Sequence, residues 1–357
     1  MENIKKNFGF GFMRLPMIGD DVDIPQTKQM VDHFLAAGFN YFDTAHGYIN
    51  GKSELALKEC LTSRYPRDSY ILTNKLSANY FQTGKDIRPL FQSQLEACGV
   101  EYFDFYLMHA LSKSRMDHYK QARAMETALE LKAEEKIRHI GCSFHDKAEV
   151  LDEILTEFPQ LEVVQIQFNY LDFEDEKVES RKCYEVCRKH GKPIIVMEPV
   201  KGGSLVNIPQ SAQNIFDRLQ GGTNASYAIR FAAGFDGIMM VLSGMSNMEQ
   251  MQDNVSFMKE FVPLSPVEQA SVEKVSAIIR NQGLIPCTAC RYCTEVCPQE
   301  IPIPELFSAL NAKRQDHSPS QDDADAVTNC IKCGKCEEIC PQNLNIRQLL
   351  MVVAEEL

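Results

Sequence analysis

FGFGFMRL, residues 8–15, is the first strand-like run of the chain, and the residues just after it decide between two folds. In an open doubly wound sheet the first strand leads into a Gly-rich turn that cradles a phosphate and opens a helix. Here the run passes into Arg14, Leu15 and Pro16, which open no helix. Seven further runs come after it: FNYFDT (39–44), YILTNKL (70–76), FDFYLMHA (103–110), IRHIGCSF (137–144), LEVVQIQF (161–168), KPIIVMEP (192–199) and DGIMMVLSG (236–244). Their starts mostly lie 24 to 34 residues apart, with one wider gap before the last. Amphipathic stretches separate them, among them TKQMVDHFLAAG (27–38), with Gly38 as its C-cap, and HYKQARAMETALELKAEEK (118–136), read as one helix. Short apolar runs alternating with helical stretches imply βαβ units and a parallel sheet. Eight such units in about 280 residues fit an α/β fold of the (β/α)8, or TIM-barrel, kind.

With 357 residues the chain has room for a barrel and an appendage. Hydrophobic residues make up 44% and charged residues 24%, an ordinary globular mixture. A net charge of −12 and the lack of any long Lys/Arg run argue against nucleic acid or an anionic membrane as partner. No signal-peptide-like apolar stretch opens the chain and no run is long enough to span a membrane, so the expected location is the cytoplasm. In that reducing compartment thirteen cysteines read as metal ligands or free thiols before disulfides.

After VEQASVEKVSAIIRNQG (267–283) the composition turns to Cys, Pro and charged residues, which sets a domain boundary near Asn281: a barrel over 1–280 and a second domain over 281–357. Cys287, Cys290, Cys293 and Cys297 before Pro298 form one C-x2-C-x2-C-x3-C-P run, and Cys330, Cys333, Cys336 and Cys340 before Pro341 form another. This is the bacterial 4Fe-4S spacing, in which three close thiolates wrap one cube and the fourth turns toward a second. Structural zinc or a disulfide framework are the alternatives, and duplication of a twelve-residue pattern weighs against both. IPELFSALNAKRQ (303–315) and NIRQLLMVVAEEL (345–357) read as helices around a polar loop, SPSQDDADA (318–326), so this small two-cluster domain is expected to be mainly helical. Similarity to two-cluster ferredoxins implies one cluster on Cys287, Cys290, Cys293 and Cys340, and the other on Cys297, Cys330, Cys333 and Cys336. Cys60, Cys98, Cys142, Cys183 and Cys187 are left as free thiols of the barrel.

Barrel chemistry sits where strands end, on the C-terminal face. Asp43 and Tyr48 come after the second run, Lys75 ends the third and His109 ends the fourth. A nearby ammonium favours the phenolate of a Tyr, and an Asp fixes that ammonium in place. Such a Tyr can protonate a carbonyl oxygen, while a His orients the same oxygen by donating a hydrogen bond.

These four residues, with the five-residue step from Asp43 to Tyr48, resemble the tetrad of the aldo-keto reductases, and the likeness runs over about residues 8 to 260. It implies a barrel that binds a nicotinamide cofactor without a Rossmann fold and passes hydride to an aldehyde or ketone. Tyr48 would be the acid, Lys75 and Asp43 its tuners, and His109 the orienting donor. Ser143 and Gln165 match positions that hold the nicotinamide carboxamide. Phe144 and Met197 stand where the family commonly has Asn and an aromatic ring. Residues 243–254 should grip the 2'-phosphate of NADP but contain no Lys or Arg, leaving Gln250 and Asn254 as polar candidates and Lys201 as a substitute cation. NAD, NADP or an altered cofactor stays open, a flavin included.

The whole chain resembles the iron-sulfur subgroup of that family, predicted oxidoreductases acting on a small molecule. Hydride moves two electrons at once, whereas each 4Fe-4S cluster ordinarily exchanges one. Three readings are open: clusters that carry electrons to or from the barrel, with a protein partner for electron transfer; a conventional reductase with structural or sensing clusters; and a ferredoxin-like carrier on a docking scaffold.

Overall fold

The computed structural model describes residues 3–219, 221–315 and 324–357. Eight parallel strands close into a barrel: β1 (Phe8–Gly11), β2 (Tyr41–Asp43), β3 (Ile71–Leu76), β4 (Phe103–Leu111), β5 (Ile137–Phe144), β6 (Val163–Gln167), β7 (Ile194–Met197) and β8 (Ile238–Gly244). Each pairs with the next, and β8 closes on β1 with Gly11 opposite Gly244. Strands of this kind are covered on both faces, by helices outside and by each other's side chains inside, which is why they read as continuous apolar runs. Tyr41, Phe105, Leu107, Val163, Ile195 and Met240 fill the interior. The fit there is close: a Cβ added at Gly141 would lie 2.5 Å from both the side chain and the carbonyl of Val163.

The helix Ile24–Ala36 starts at Asp23, whose carboxylate accepts the Gln26 N–H at 3.0 Å, and stops before Gly38, which takes φ +88° as a C-terminal cap should. Its Phe34 stacks on Phe39 at 5.0 Å between ring centroids and meets Phe42 edge-on at 5.4 Å, fixing the end of β2 where Asp43 stands. The stretch 118–136 is not one helix. Lys113–Gln121 and Ala124–Ala133 are separate, with Arg123 left-handed at φ 53° between them. Here the Ala122 carbonyl passes Gly84 so closely that a Cβ on Gly84 would lie 2.4 Å from it, and the break turns the second helix onto β5.

The chain packs as two compact units, one holding the residues up to Pro199 with Ala225–Leu264, the other Val200–Asn224 with Ser265–Leu357. This division differs from a boundary near Asn281. The composition changes there, but the preceding helix Pro266–Arg280 packs on the helix Gln210–Phe216 of its own unit. The segment after β7 thus belongs with the cysteine runs.

In the second unit the helices Ile303–Arg314 and Ile346–Glu356 pack together around Ile303, Leu306, Phe307, Leu310, Leu350 and Val353. Of the expected polar loop, residues 318–323 lie outside the described residues, and Ala324–Asn329 forms a 3-10 turn. Among the described residues no helix is long and apolar enough to cross a membrane.

Candidate functional site

Three strand ends bring four polar groups together at the C-terminal mouth of the barrel. Lys75 and Asp43 are both buried, and the Lys75 Nζ donates to Asp43 Oδ1 at 2.6 Å and to the Thr44 carbonyl at 2.8 Å. The same Nζ lies 4.9 Å from the centre of the Tyr48 ring. Tyr48 in turn meets His109 edge-on, with ring centroids 5.9 Å apart. Burial pushes the Asp43 carboxyl up and the Lys75 ammonium down, and in each case the charge of the other opposes the shift. The imidazole of His109 is held well below its usual range, first by burial and then by the charges of Lys75, His145 and Arg115. It is therefore neutral at physiological pH.

Two supports of this group have no motif to announce them. Ser77 Oγ lies 2.5 Å from His109 Nδ1. It stands two residues beyond Lys75, on the same side of extended chain, and that alternation was the only sequence signal for it. Behind Lys75, the buried Glu54 accepts from Asn74 at 2.7 Å and from Gln94 at 3.3 Å, and Gln94 donates to the Lys75 carbonyl at 3.0 Å. Tyr106 completes the network by donating to Gln94 at 2.6 Å. A satisfied buried network of this kind fixes the backbone from which Lys75 projects.

Ser143 and Gln165 stand opposite each other in the β5–β6 register. The Ser143 hydroxyl accepts the Ala110 N–H at 2.7 Å, which leaves its own proton to donate. Gln165 is 2% exposed, and its Oε1 has no hydrogen-bond partner among the described residues. A buried amide oxygen left this way costs free energy until a ligand N–H meets it, so these residues fit a carboxamide. Asn254 is buried and donates to Ser243 at 3.1 Å, whereas Gln250 is exposed and accepts the Ser246 N–H at 2.7 Å. Lys201 is buried in the second unit, where its Nζ is 3.4 Å from Gln342 Oε1.

The two cysteine runs are wrapped alike. Left-handed residues fall at equal offsets in both: Ala289 and Lys332 (φ 51° and 58°), Arg291 and Gly334 (66° and 83°), and Glu300 and Asn343 (51° and 50°). Six left-handed residues, five of them not glycine, store strain that a repeated ligand-wrapping turn would explain, since such turns aim backbone N–H groups inward at an anion. In the first run the Ala289 N–H reaches Cys287 Sγ at 3.4 Å. Cys287, Cys290, Cys293 and Cys340 line one small pocket, partly open to solvent, with Ile303, Phe307 and other apolar residues. Three cysteines of the first run and the last of the second thus line the same pocket, and by their chemistry four thiolates suit a cube of iron and sulfide.

The sequence model of the Aldo/keto reductase family matches residues 7–277, and that of a 4Fe-4S dicluster domain matches residues 286–344. The chain belongs to the aldo/keto reductase family and carries a C-terminal 4Fe-4S ferredoxin-like domain. Among its relatives is the NADH-specific methylglyoxal reductase of Escherichia coli, 26% identical over 185 residues that cover 47% of this chain and 54% of that one. An aldo-keto reductase of Mycolicibacterium vanbaalenii is 28% identical over 249 residues, 68% of this chain and 82% of that one. The first of these matches thus spans about half of its relative's length. In fold, the chain is similar to an aldo-keto reductase of Bacillus halodurans in its holo form (TM-score 0.62, 22% identity, 76% of this chain and 92% of that one). It is also similar to one of Klebsiella pneumoniae in complex with NADPH (TM-score 0.61, 18% identity, 76% and 95%).

Proposed function

We propose that this protein is an oxidoreductase that reduces the carbonyl group of a small aldehyde, ketone or related unsaturated molecule at the mouth of the barrel, with two 4Fe-4S clusters serving electron transfer. The observation that carries the reading is the placement of the Lys75 ammonium, 2.6 Å from Asp43 and 4.9 Å from the Tyr48 ring, with His109 beside the same ring. A positive charge so close to the phenol makes its proton easier to give up, and burial strengthens that influence. Tyr48 is thereby suited to protonate the oxygen of the carbonyl as its carbon is reduced. In the tautomer whose Nδ1 accepts from the Ser77 hydroxyl 2.5 Å away, a neutral His109 would present Nε2–H to the same oxygen and orient it.

A nicotinamide cofactor would supply the hydride, and Ser143 and Gln165 would hold its carboxamide. Gln250 and Asn254 are the candidates near its nucleotide end. The lack of Lys or Arg over 243–254 favours NADH over NADPH, and the E. coli relative is named for NADH, whereas the Klebsiella neighbour holds NADPH. For the clusters we assign Cys287, Cys290, Cys293 and Cys340 to one, and Cys297, Cys330, Cys333 and Cys336 to the other. The shared cavity supports the first set and the matched left-handed turns support the second. A two-electron hydride meets one-electron clusters only through a splitter such as a flavin, and an electron-transfer protein would be the partner.

Anaerobic purification with subsequent iron, sulfide, flavin and nicotinamide assays tests this. Bleaching of the clusters by NADH without a carbonyl substrate is the expected result. Carbonyl turnover that survives Cys333→Ala in a folded protein would leave the clusters structural or sensory.

A further inference from the structure

Arg115 is used by no part of the chemistry above. It stands in the first turn of the helix Lys113–Gln121, which starts just after β4 ends at Leu111. Its Nη1 donates to the Ala110 carbonyl at 3.4 Å, longer than an ordinary N–H···O bond. Ala110 is the neighbour of His109 and is left-handed at φ 54°, a costly conformation for a residue with a side chain. That turn sends its N–H to Ser143 and its carbonyl to Arg115. His109 and Ala110 are half-buried whereas β4 before them is buried, so the strand meets solvent here. One helical turn beyond Arg115, the Tyr119 hydroxyl lies 2.9 Å from the His109 carbonyl and 2.7 Å from that of Leu76, tying this helix to two strand ends of the site.

The charges of Lys75, His145 and Arg115 all act on the His109 imidazole, and all have one sign. Lys75 is balanced by Asp43. Arg115 forms no ion pair among the described residues, and the first turn of its helix contains no acidic residue. Asp146, the carboxylate that meets the start of this helix, accepts the backbone N–H groups of Lys113 and Lys147 at 2.8 Å each. A cation in a first turn opposes the helix dipole, which favours negative groups there, so its position does not serve the helix. Resting on carbonyl reduction at this mouth, we propose that Arg115 is the specificity-determining residue for a substrate that carries a carboxylate together with its aldehyde or ketone group. The fork of the guanidinium matches the two carboxylate oxygens, and its one charge matches theirs. With the carboxylate held beside Ala110, the carbonyl is directed toward His109 and Tyr48.

The test compares succinic semialdehyde with its methyl ester as substrates of the fully loaded holoprotein, with NADH, in wild type, Arg115→Met and Arg115→Lys. Binding of succinate to each is measured by isothermal titration calorimetry. In Arg115→Met the acid-to-ester ratio of kcat/KM should fall about 10–100-fold, the worth of a hydrogen bond to a charged group, with the loss in KM for the acid. Arg115→Lys keeps the charge without the fork and should fall less. Succinate affinity should follow the same order. A wild type that reduces the acid no better than the ester, or a ratio unmoved in Arg115→Met, overturns the proposal. Should Arg115→Met fail to fold, an unmoved ratio in Arg115→Lys overturns it instead. If no form of the protein reduces either aldehyde, succinate affinity separates the two levels: a loss in the Arg115 variants supports the anion site while carbonyl reduction fails, and equal affinity overturns both.

Discussion

Replacing Lys75 by Met separates the two things its ammonium does. The pair it forms with Asp43 is buried on both sides, and Asp43 Oδ2 already lacks a hydrogen-bond partner among the described residues. Removing the ammonium deletes contacts at 2.6 and 2.8 Å and leaves a carboxylate stranded in the barrel. Breaking one side of a buried pair costs about 3–5 kcal/mol, whereas replacing both sides by apolar groups of similar volume is often close to neutral. Lys75→Met should therefore lower the urea midpoint of the barrel by about 1 M or more, taking a slope of about 3 kcal/mol per M. The double variant Asp43→Leu/Lys75→Met should recover most of that loss. Activity should not recover, because the phenol of Tyr48 has then lost its neighbouring charge; both variants should turn over carbonyls about 10²–10⁴-fold more slowly than wild type. Near-UV circular dichroism in urea and steady-state NADH oxidation measure the two effects. A double variant that regains turnover together with stability would refute the role given to the Lys75 charge.

Ser77→Ala removes the 2.5 Å contact to His109 Nδ1. It should cost about 1 kcal/mol of stability and about tenfold in kcat, with NADH affinity unchanged in fluorescence titration. The depressed pKa of His109 gives a pH dependence of definite sign. As pH falls below about 6.5 the unfolded imidazole takes up its proton while the folded one does not, so stability drops toward the folded pKa by up to about 1.4 kcal/mol per unit. His109→Gln should show a shallower loss between about pH 7 and 5.5 in urea unfolding, and an equal slope would remove His109 as its source.

The barrel was legible because parallel strands buried on both faces leave continuous apolar runs. IRHIGCSF coincides with β5, and the other runs mostly overreach their strands by a residue or two where pairing stops short of the apolar stretch. The break at Arg123 was not legible, since a left-handed arginine answers to the passage of Ala122 over Gly84, far away in sequence. Asp43, Tyr48, Lys75 and His109 were legible as polar groups at successive strand ends. Ser77 and the Glu54–Asn74–Gln94 network were not, because buried hydrogen-bond partners carry no spacing of their own. The eight cysteines declare themselves by pattern. The contact of Lys201 with Gln342, 141 residues on, could not.

The central claim is that Tyr48 supplies the proton for carbonyl reduction. Tyr48→Phe in the anaerobically purified, fully loaded protein tests it most directly, with NADH binding measured by fluorescence and turnover of a small aldehyde by absorbance. The account predicts unchanged NADH affinity and a fall in kcat of about 10²–10⁴-fold. Turnover equal to wild type would contradict it.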